Sequence, residues 1–485
     1  MFVSDMDLIK AKLEMEGRLN EGEILKEVIK ADEHSEYKNK MFQGESYYKC
    51  NQDILNHSFN EHPISETRFY DDGVEQESIV NFKNPNRSNN KCVNPFHRIL
   101  VDQKASYVAG REPTITIRDS IKSPEFEKRL SVFTDDYFNQ VIYDLVVGAS
   151  NKGIEYLHIY YNEEGKLKYC IVPAEEIIAI FDNDNEDEIV ELIRYYYIRV
   201  FDKGYERLVK KAEWWTKETV SYYIEKESGV FIPEGEDSVD MPHWYRECNG
   251  KMVGDSWCKV PFVAMKNNSR GTTDLELIKS LCDAYDLVMS EGTNNLIDLV
   301  ELYWVIQGYD GETASAIAKK LQINKAVHIS DSNGGVEAKQ VNIPVQGRID
   351  WLKLIKRDIF QFGMGVDTDT EKLGNAPSGV SLKFQYSMFN LKINGVVPRM
   401  KRAIKEFLWF VANDYFDSED FDMGLIDVGI NLNSITDDAE TMEILAMSKG
   451  MVSEKTLLGK HPFVDDVNSE IFNIAEERGI YKFDE

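Results

Sequence analysis

The sequence predicts an α+β protein in which an antiparallel sheet is followed by long helices. From Ile154 onwards, segments rich in Tyr, Ile and Val, among them IEYLHIYY and IVELIRYYYIRV, are separated by acidic or glycine-bearing turns, which is typical of a meandering antiparallel sheet. After Gly271 the pattern is helical, because Thr273 and Glu276 form a capping box ahead of an apolar stripe at helical spacing. A longer helical pattern begins near Ser378.

The composition limits the class of protein. At 485 residues the chain is too long for one simple core, so we expect about two to four domains. A formal net charge of -28 argues against wrapping nucleic acid over the whole surface, and it favours solubility or a large assembly. The six cysteines form no CxxC pair and are interpreted as reduced thiols. Because no signal-peptide core or membrane-spanning window is present, we expect no membrane association and a protein that is made and used on the cytoplasmic side.

Local patterns define further elements of the first half. A helix is predicted over Pro95–Gly110, with Gly110 as a left-handed C-terminal stop. A second helix is predicted over Pro124–Ser150. The acidic run Asp182–Glu188 lies between two predicted strands, so it is interpreted as a solvated hairpin tip.

Aromatic side chains of the predicted sheet could stack on nucleic-acid bases. Trp214, Trp215 and the tyrosines near Tyr195–Tyr197 are the candidates. Because alternating aromatic strands in an acidic domain are more typical of sheet core, we assign them to the core.

A small α/β unit interrupts the helical second half. It begins with the strand YWVIQ, and helices predicted over about 274–298 and 348–362 flank it, so that it is carried on a two-helix stalk. Its aromatic pair, Tyr303 and Trp304, serves either the small core of this unit or an interface with a partner.

The stretch from Gln346 to Asp414 has more bases than acids, in contrast to the rest of the chain. Ser378 is the predicted N-cap of its long helix. Gly395 and Pro398 fall within that helix, where a proline removes a backbone hydrogen bond, so we expect a kink or a break there.

No catalytic residue, cofactor site or metal site is predicted. GASNKGIE does not match the phosphate-binding GxxxxGK[ST] pattern, and the alternating acids near Asp367 and Asp182 lack the Gly and Glu positions of a calcium loop. No HExxH or GxSxG pattern occurs, although distant residues could still assemble a catalytic triad. The basic run Pro398–Lys405 binds either phosphate or acids of a neighbouring subunit, and the second interpretation is preferred.

Four stretches then carry a resemblance to a known family: NPFHRILVDQKASYVAGREPTI, the YDGE turn with the later GGV, NAPSGVSLKF, and RAIKEFLWF. In their order and spacing the chain, from about Asn89 to its C-terminus, resembles the portal proteins of tailed bacteriophages. The likeness is to the siphovirus-type head-to-tail connectors of phages infecting Gram-positive bacteria.

The resemblance implies an α+β portal fold with a wing, a two-helix stem, a small α/β clip, a tunnel loop, a long helix and a helical crown. The corresponding boundaries are an N-terminal helical region at 1–60, the wing at 61–272, stem helices at 273–298 and 346–364, the clip at 299–345, the tunnel loop at 365–379, the long helix at 380–415 and the crown at 416–485.

The resemblance also implies a function. Portal proteins form a ring, usually of twelve subunits, at one vertex of the capsid in the virion, and double-stranded DNA is packaged and ejected through the ring. The implied partners are the terminase motor, the major capsid and scaffolding proteins, and a later head-completion adaptor. Portal proteins are passive conduits, so the resemblance implies neither an enzyme nor a cofactor.

Four sets of candidate residues follow from this comparison. The tunnel-loop residues expected nearest the DNA are Asp367, Asp369, Glu371 and Lys372. The stem bases, some facing the channel and others paired between subunits because helical spacing cannot place all of them on one face, are Arg348, Lys353, Lys356 and Arg357. The clip pair expected at a partner interface is Tyr303 and Trp304. The bases expected at the subunit interface are Arg399, Lys401, Arg402 and Lys405.

Two alternatives belong to other classes of protein. A capsid-associated, metal-dependent nuclease would use an acidic cluster with a histidine and a bound divalent ion. A structural adaptor or tail component would never contact DNA.

Overall fold

The computed structural model describes residues 3–69, 75–84, 87–118, 121, 123–182, 187–202, 205–226, 228–248, 250–298, 303–307, 335–339, 345–367, 386–416, 421–433, 438–459, 461, 464 and 467–477. The chain divides into two units. The first comprises Met1–Lys38, Val101–Thr272 and Met364–Glu485, and the second comprises Asn39–Leu100 and Thr273–Gly363.

The elements of the described residues alternate between helices and strands. The helices are α1 (Val3–Met15), α2 (Glu21–Glu33), α3 (Glu36–Tyr48), α4 (Phe96–Ala109), α5 (Pro124–Phe133), α6 (Asp136–Lys152), α7 (Lys279–Asp298), α8 (Val345–Phe362), α9 (Ser387–Phe416), α10 (Asp438–Met447), α11 (Glu454–Leu458) and α12 (Val467–Glu477). The strands are β1 (Glu61–Phe69), β2 (Glu75–Lys83), β3 (Thr114–Ile117), β4 (Ile154–Tyr161), β5 (Leu167–Val172), β6 (Ile177–Phe181), β7 (Ile189–Asp202), β8 (Tyr205–Trp215), β9 (Thr219–Glu225), β10 (Phe231–Pro233), β11 (Met241–Pro242), β12 (Trp244–Cys248), β13 (Lys251–Asp255), β14 (Phe262–Lys266), β15 (Tyr303–Gln307), β16 (Gly335–Lys339) and β17 (Ile426–Gly429).

The predicted α+β class and the antiparallel meander are confirmed. All pairs of these strands are antiparallel, and the largest sheet has the order β10-β9-β8-β7-β6, with β11 added beside β9. Strands β14, β4 and β5 form a second sheet. Trp215 and Tyr195 are buried as predicted, but Tyr197, two residues further along β7 on the same face as Tyr195, is 57% exposed.

Two apolar cores stabilise the first unit. The larger surrounds α9, where Phe389, Ile393, Met400 and Phe407 repeat at helical spacing on its buried face. The smaller core lies between α1, α2 and the main sheet, and Tyr223 is among its buried residues. Burial of these faces, rather than helix propensity, accounts for most of the stabilisation.

The predicted helix over Pro124–Ser150 is in fact two helices, α5 and α6. Ser123 accepts a hydrogen bond from the Phe126 N–H at 3.2 Å and caps α5, whereas Asp135 accepts one from the Phe138 N–H at 3.1 Å and caps α6. A second cap inside one apolar periodic pattern therefore divides it.

Two predictions about the backbone are right only in part, although α4 ends before Gly110 as predicted. Gly110 is not in the left-handed region; a Cβ there would lie 2.1 Å from the Ser106 carbonyl oxygen, so close approach requires the glycine. Of the kink or break predicted at Gly395 and Pro398, the break is absent, because α9 continues through both residues, and the kink stays a prediction. Both lie on the exposed side of α9, and the Arg399 guanidinium donates a hydrogen bond to the Gly395 carbonyl.

The GASNKGIE segment builds a buried ionic centre in the first unit. Lys152 Nζ lies 2.5 Å from a Glu155 carboxylate oxygen and 3.0 Å from Glu175. Burial raises the pKa of Glu155 to about 7, although the Lys152 charge acts in the opposite direction. A Cβ on Gly148 would lie 2.0 Å from Glu155 Oε2, so this glycine makes room for the carboxylate.

Substituting alanine at two helical glycines is expected to have opposite effects. Gly148→Ala should destabilise the first unit by about 1–3 kcal/mol, because the methyl group displaces the Glu155 carboxylate. Gly395→Ala should stabilise it by up to about 1 kcal/mol, because a Cβ there meets nothing within 4 Å. Urea unfolding followed by tryptophan fluorescence measures both changes. A stabilising Gly148→Ala would contradict this account of the ionic centre.

In the second unit, the predicted capping box is confirmed. The Thr273 N–H donates to Glu276 Oε1 at 2.9 Å, and the Glu276 N–H donates to Thr273 Oγ1 at 3.3 Å. A short 3-10 helix, Leu275–Leu277, follows it and leads into α7.

Candidate functional site

Helices α7 and α8 form the centre of the second unit. Cys282, Ile355 and Ile359 are buried between them, and Phe96 of α4 packs edge-on against Phe360 with ring centroids 6.1 Å apart. The second unit therefore contains two helices that pack through apolar residues, one before and one after residues 299–344 in the sequence. Within that stretch, the described strands β15 and β16 pair.

The sequence predicts an apolar face of α8 formed by Ile349, Leu352, Ile355, Ile359 and Phe362, and the observed face differs from it. Ile349 and Phe362 are 40% and 52% exposed, and Trp351 is 54% exposed. Phe360 is buried instead. The i, i+3, i+4 pattern therefore identified the helix correctly but extended its buried face too far toward both ends.

The four predicted stem bases lie on different sides of α8, as helical spacing requires. Arg348 and Lys356 are half-buried, whereas Lys353 and Arg357 are exposed one turn apart. Arg357 also pairs with the neighbouring Asp358 at 2.8 Å. Which of them face a channel stays a prediction.

Within the first unit, helix α4 contacts described residues at the start of the predicted tunnel loop and after its end. The Val366 N–H donates to Gln103 Oε1 at 3.1 Å, and Gln103 Nε2 donates back to the Val366 carbonyl at 2.8 Å. One turn further along α4, Tyr107 packs against Phe389 with ring centroids 5.0 Å apart and donates to Asn390 Oδ1 at 3.1 Å. Val366, at the start of the predicted loop, and Phe389, which follows the loop in the sequence, thus contact residues of α4 one helical turn apart, about 6 Å.

The residues predicted nearest the DNA are only partly described. Asp367 is half-buried directly after the Val366 anchor. Asp369, Glu371 and Lys372, and the predicted N-cap Ser378, lie outside the described residues. Their role in a tunnel stays a prediction.

Two of the predicted interface bases on α9 form ion pairs with acids of the same chain. Arg402 pairs with Asp187 of the acidic hairpin tip, which Lys266 also contacts at 3.1 Å, and Lys405 lies 3.9 Å from Asp427. Burial raises the pKa of Asp187, but these bases outweigh it and lower the pKa overall. Asp187, near one end of the predicted hairpin tip, is therefore ion-paired, whereas residues 183–186 lie outside the described residues. An interface role stays a prediction for all four bases, Arg399, Lys401, Arg402 and Lys405.

The clip aromatics lie on the described strand β15. Tyr303 is opposite Lys339 and Trp304 is opposite Ala338 on β16. Their side-chain surroundings lie outside the described residues, so the core and interface alternatives both stay open.

Sequence reasoning missed a polar stripe on α7 that binds an extended segment, Ser88–Asn94, here called the strap. Hydrogen bonds join Ser88 to Asp298, Asn90 to Asn294, Cys92 to Ser290, and Asn94 to Asp286. These four steps are called the polar ladder below.

At two steps of the polar ladder, the hydrogen bonds are multiple. Asn294 Oδ1 accepts from the Asn90 N–H at 2.7 Å and from its Nδ2 at 3.0 Å, and Asn294 Nδ2 donates to the Asn90 carbonyl at 3.0 Å. Asp286 Oδ1 accepts from the Asn94 N–H at 3.0 Å and from its Nδ2 at 2.7 Å. The ladder therefore pairs several buried polar groups that would be costly if left unpaired.

The geometry of a strand and a helix explains the ladder. Every second strap residue advances about 6.6 Å, and every fourth helical residue advances about 6.0 Å, so the two repeats stay in step. Asp286, Ser290 and Asn294 are each no more than 3% exposed. Their i, i+4, i+8 spacing was the only signal in the sequence, and nothing in it identified a strap about 200 residues away.

Burial raises the pKa of Asp286 to about 6, although the hydrogen bonds from Asn94 act in the opposite direction. No described residue bonds its second carboxylate oxygen. Because the folded state holds this proton more tightly than the unfolded chain does, the free energy of opening α7 should fall by about 2 kcal/mol from pH 4 to 6 and then level off.

Asp286→Asn should remove this pH dependence, since the amide keeps the accepting oxygen and does not titrate. Hydrogen exchange of α7 amides, corrected for the intrinsic rate at each pH, measures it. An unchanged slope in the variant would show that another group titrates.

Two searches of the described residues concern other functions. No three His, Cys, Asp or Glu side chains within them converge as ligands of a metal would. None of the described helices combines the length and apolar composition needed to cross a membrane.

Comparisons with known proteins agree with the predicted resemblance. A family profile described as "Phage portal protein, SPP1 Gp6-like" matches residues 28–480. The portal protein of Bacillus phage SPP1 is 29% identical over 455 residues, covering 93% of this chain and 85% of that protein. The portal protein of Clostridium phage phiCD119 is 31% identical over 421 residues, covering 82% and 87%.

A solved structure titled "Neck of empty GTA particle computed with C6 symmetry" has a chain similar to this one with a TM-score of 0.42 and 12% identity, over 75% of this chain and 88% of that chain. That likeness is too weak to support an argument. The family profile spans most of the sequence, and both relatives are portal proteins of phages with Gram-positive hosts. The chain therefore belongs to the SPP1 Gp6-like family of phage portal proteins.

Proposed function

We propose that this protein assembles into a ring-shaped channel at one vertex of a phage capsid, through which double-stranded genomic DNA is packaged and ejected. The observation that carries the proposal is the family match over residues 28–480. The antiparallel pairing of β15 and β16 between α7 and α8 supports it, because this is the order expected of a clip carried on a two-helix stem.

Within this ring, α7 and α8 are the stem helices and residues 299–345 the clip. Residues 61–272 form the wing, 365–379 the tunnel loop, 380–415 the long helix behind it, and 416–485 the crown. The contacts of Gln103 with Val366 and of Tyr107 with Asn390 support this assignment, since a loop that meets moving DNA needs a rigid attachment.

The charges suit a conduit that lets DNA pass. Every phosphate neutralised adds affinity that translocation must then break. A loop that carries charges of both signs, with Asp367, Asp369, Glu371 and Lys372, binds the DNA backbone weakly, so that the DNA stays mobile. The exposed bases Lys353 and Arg357 are the better stem candidates for the channel, and the basic face of α9 contacts neighbouring subunits.

The proposed partners follow from this place in the virion. The ring contains about twelve copies and contacts the major capsid and scaffolding proteins during assembly in the host cytoplasm. A terminase docks on the clip, where Tyr303 and Trp304 lie, and a head-completion adaptor replaces it.

Electron microscopy of the purified protein tests the proposal. Class averages should show closed rings with a central pore wide enough for duplex DNA, about 20 Å. Averages of particles without a pore would support the structural-adaptor alternative instead.

A metal-dependent nuclease is the alternative from another class. Incubating the protein with plasmid and Mg²⁺ or Mn²⁺ tests it directly. Cleavage that is abolished in D367A/D369A would overturn the channel proposal, whereas intact plasmid is the expected result.

A further inference from the structure

We propose that the polar ladder fixes the axial register of α7 against the strap, which makes Ser290 and Asn294 positioning residues of this stem helix. The inference rests on the proposed function, because it concerns the stem of a DNA channel. It adds that the hydrogen bonds of the polar ladder hold one stem helix in place while DNA moves.

The first argument is the cost of a slip. If α7 moved by one turn along the strap, Asp286, Ser290 and Asn294 would each meet a different partner, and buried polar groups would be left unpaired. An apolar contact would tolerate that movement far better. Buried polar groups are known to specify register in this way between packed helices.

The second argument is that the strap is itself fixed. Its Asn89 side chain accepts from the Phe59 N–H at 3.0 Å, and Gln52 Nε2 donates to the Asn94 carbonyl at 2.9 Å. Lys91 donates to the Leu55 carbonyl. The strap is therefore bonded to α7 on one side and to residues 52–59 on the other, so it serves as a reference for the helix.

The third argument is the contrast between the two sides of α7. Toward α8 the contact is apolar, with Ile355 and Ile359 buried. Apolar contacts bring the helices together but are not directional. Hydrogen bonds with several donors and acceptors at one step, as between Asn90 and Asn294, allow one register only.

S290A/N294L tests the proposal by making the two central steps apolar. Rings should still form, with a lower melting temperature than the wild type, because the Cys92 N–H and the polar groups of Asn90 lose their partners on α7. Packaging of DNA into proheads, measured as nuclease-protected DNA, should fall by roughly tenfold or more, because the helix then occupies several axial positions. A variant that packages as well as the wild type would overturn the proposal.

A disulfide between the strap and α7 should restore DNA packaging in this variant. Cys92 Sγ lies 3.4 Å from Thr293 Oγ1, so T293C places two thiols close enough for a disulfide after a small shift. Oxidised S290A/N294L/T293C should recover packaging, with disulfide formation followed by mass spectrometry of the protein with and without reductant. C92S/T293C, which cannot form this bond, is the matched control, and oxidant-treated wild type controls for other cysteines.

Two further outcomes decide the matter. If oxidised T293C on the intact ladder blocks packaging, the strap must release α7 and the proposal is wrong. If S290A/N294L forms no rings, N294D is the second variant, since it keeps the volume but places a carboxylate oxygen where Asn294 donates to the Asn90 carbonyl. Wild-type packaging in N294D would then refute the proposal. Failure of wild-type rings to package any DNA would instead count against the channel function.

Discussion

Replacing Lys38 by methionine should destabilise the first unit by about 3–5 kcal/mol, the effect of leaving a buried charge without its partner. Lys38 is 1% exposed, and its Nζ lies 2.9 Å from Asp32. The same nitrogen donates to the carbonyls of Ala174, Glu175 and Ile177 at 3.2, 3.0 and 3.1 Å. Methionine has a similar volume but cannot donate to any of these groups.

A second substitution at the same site, Asp32→Asn, should restore part of the stability that K38M loses. Burial lowers the pKa of Lys38, and Asp32 opposes this change. In K38M/D32N no buried carboxylate remains, and the amide oxygen can still accept from the Tyr195 hydroxyl, which lies 2.8 Å from Asp32 in the native protein. The double variant should therefore be more stable than K38M alone.

Chemical unfolding followed by the fluorescence of Trp214 and Trp215 measures these changes in the same sheet. Lys166→Met is the matched control, because Lys166 and Glu164 form a pair whose side chains are 69% and 68% exposed, and such pairs contribute about 0–1 kcal/mol. A loss below about 1 kcal/mol in K38M would contradict the role of Lys38 as the buried partner of Asp32.

Replacing residues 368–378 by a glycine-serine linker of the same length should leave ring assembly intact and reduce DNA packaging or genome retention by roughly tenfold or more, equivalent to about 1.4 kcal/mol in the limiting step. The linker keeps Val366 and its two hydrogen bonds to Gln103. It also keeps the Tyr107 contact with Phe389 on the other side of the loop. Only the part proposed to meet DNA changes.

Rings counted by electron microscopy and nuclease-protected DNA measured in proheads separate the two effects. Gln103→Ala provides a control for the attachment, since it loosens the base of the loop without altering the loop sequence. If the linker variant fails to form rings, residues 368–378 lie at a subunit interface, and the tunnel assignment is wrong.

Features determined by neighbouring residues were predictable from the sequence. The strands β4, β5, β7, β8 and β9 lie where alternating aromatic and β-branched residues placed them, and the capping box of Thr273 and Glu276 forms as expected. Both depend on contacts within a few residues. The break between α5 and α6 was missed because Asp135 lies within an uninterrupted apolar pattern, so its capping role was not recognised.

Features determined by distant residues were not predictable. A proline inside α9 is tolerated because the helix is buried along its other face, where Phe407 packs against Phe138 with ring centroids 5.2 Å apart. The polar ladder pairs Asn90 with Asn294, and no local pattern relates the two. The candidate bases were found by charge alone, and charge cannot indicate that Arg402 has a partner in Asp187.

The division of each unit into separate stretches of the chain has a consequence for synthesis on the ribosome. Strand β3, Thr114–Ile117, pairs only with β17, Ile426–Gly429, among the described strands. At about 5–20 residues per second, β3 waits on the order of 15–60 seconds for its partner. During that time its open edge and the unfilled core around α9 can associate with other nascent chains. A fragment truncated before residue 387 should therefore aggregate, and chaperones that bind exposed strand edges should increase the yield of the full-length chain.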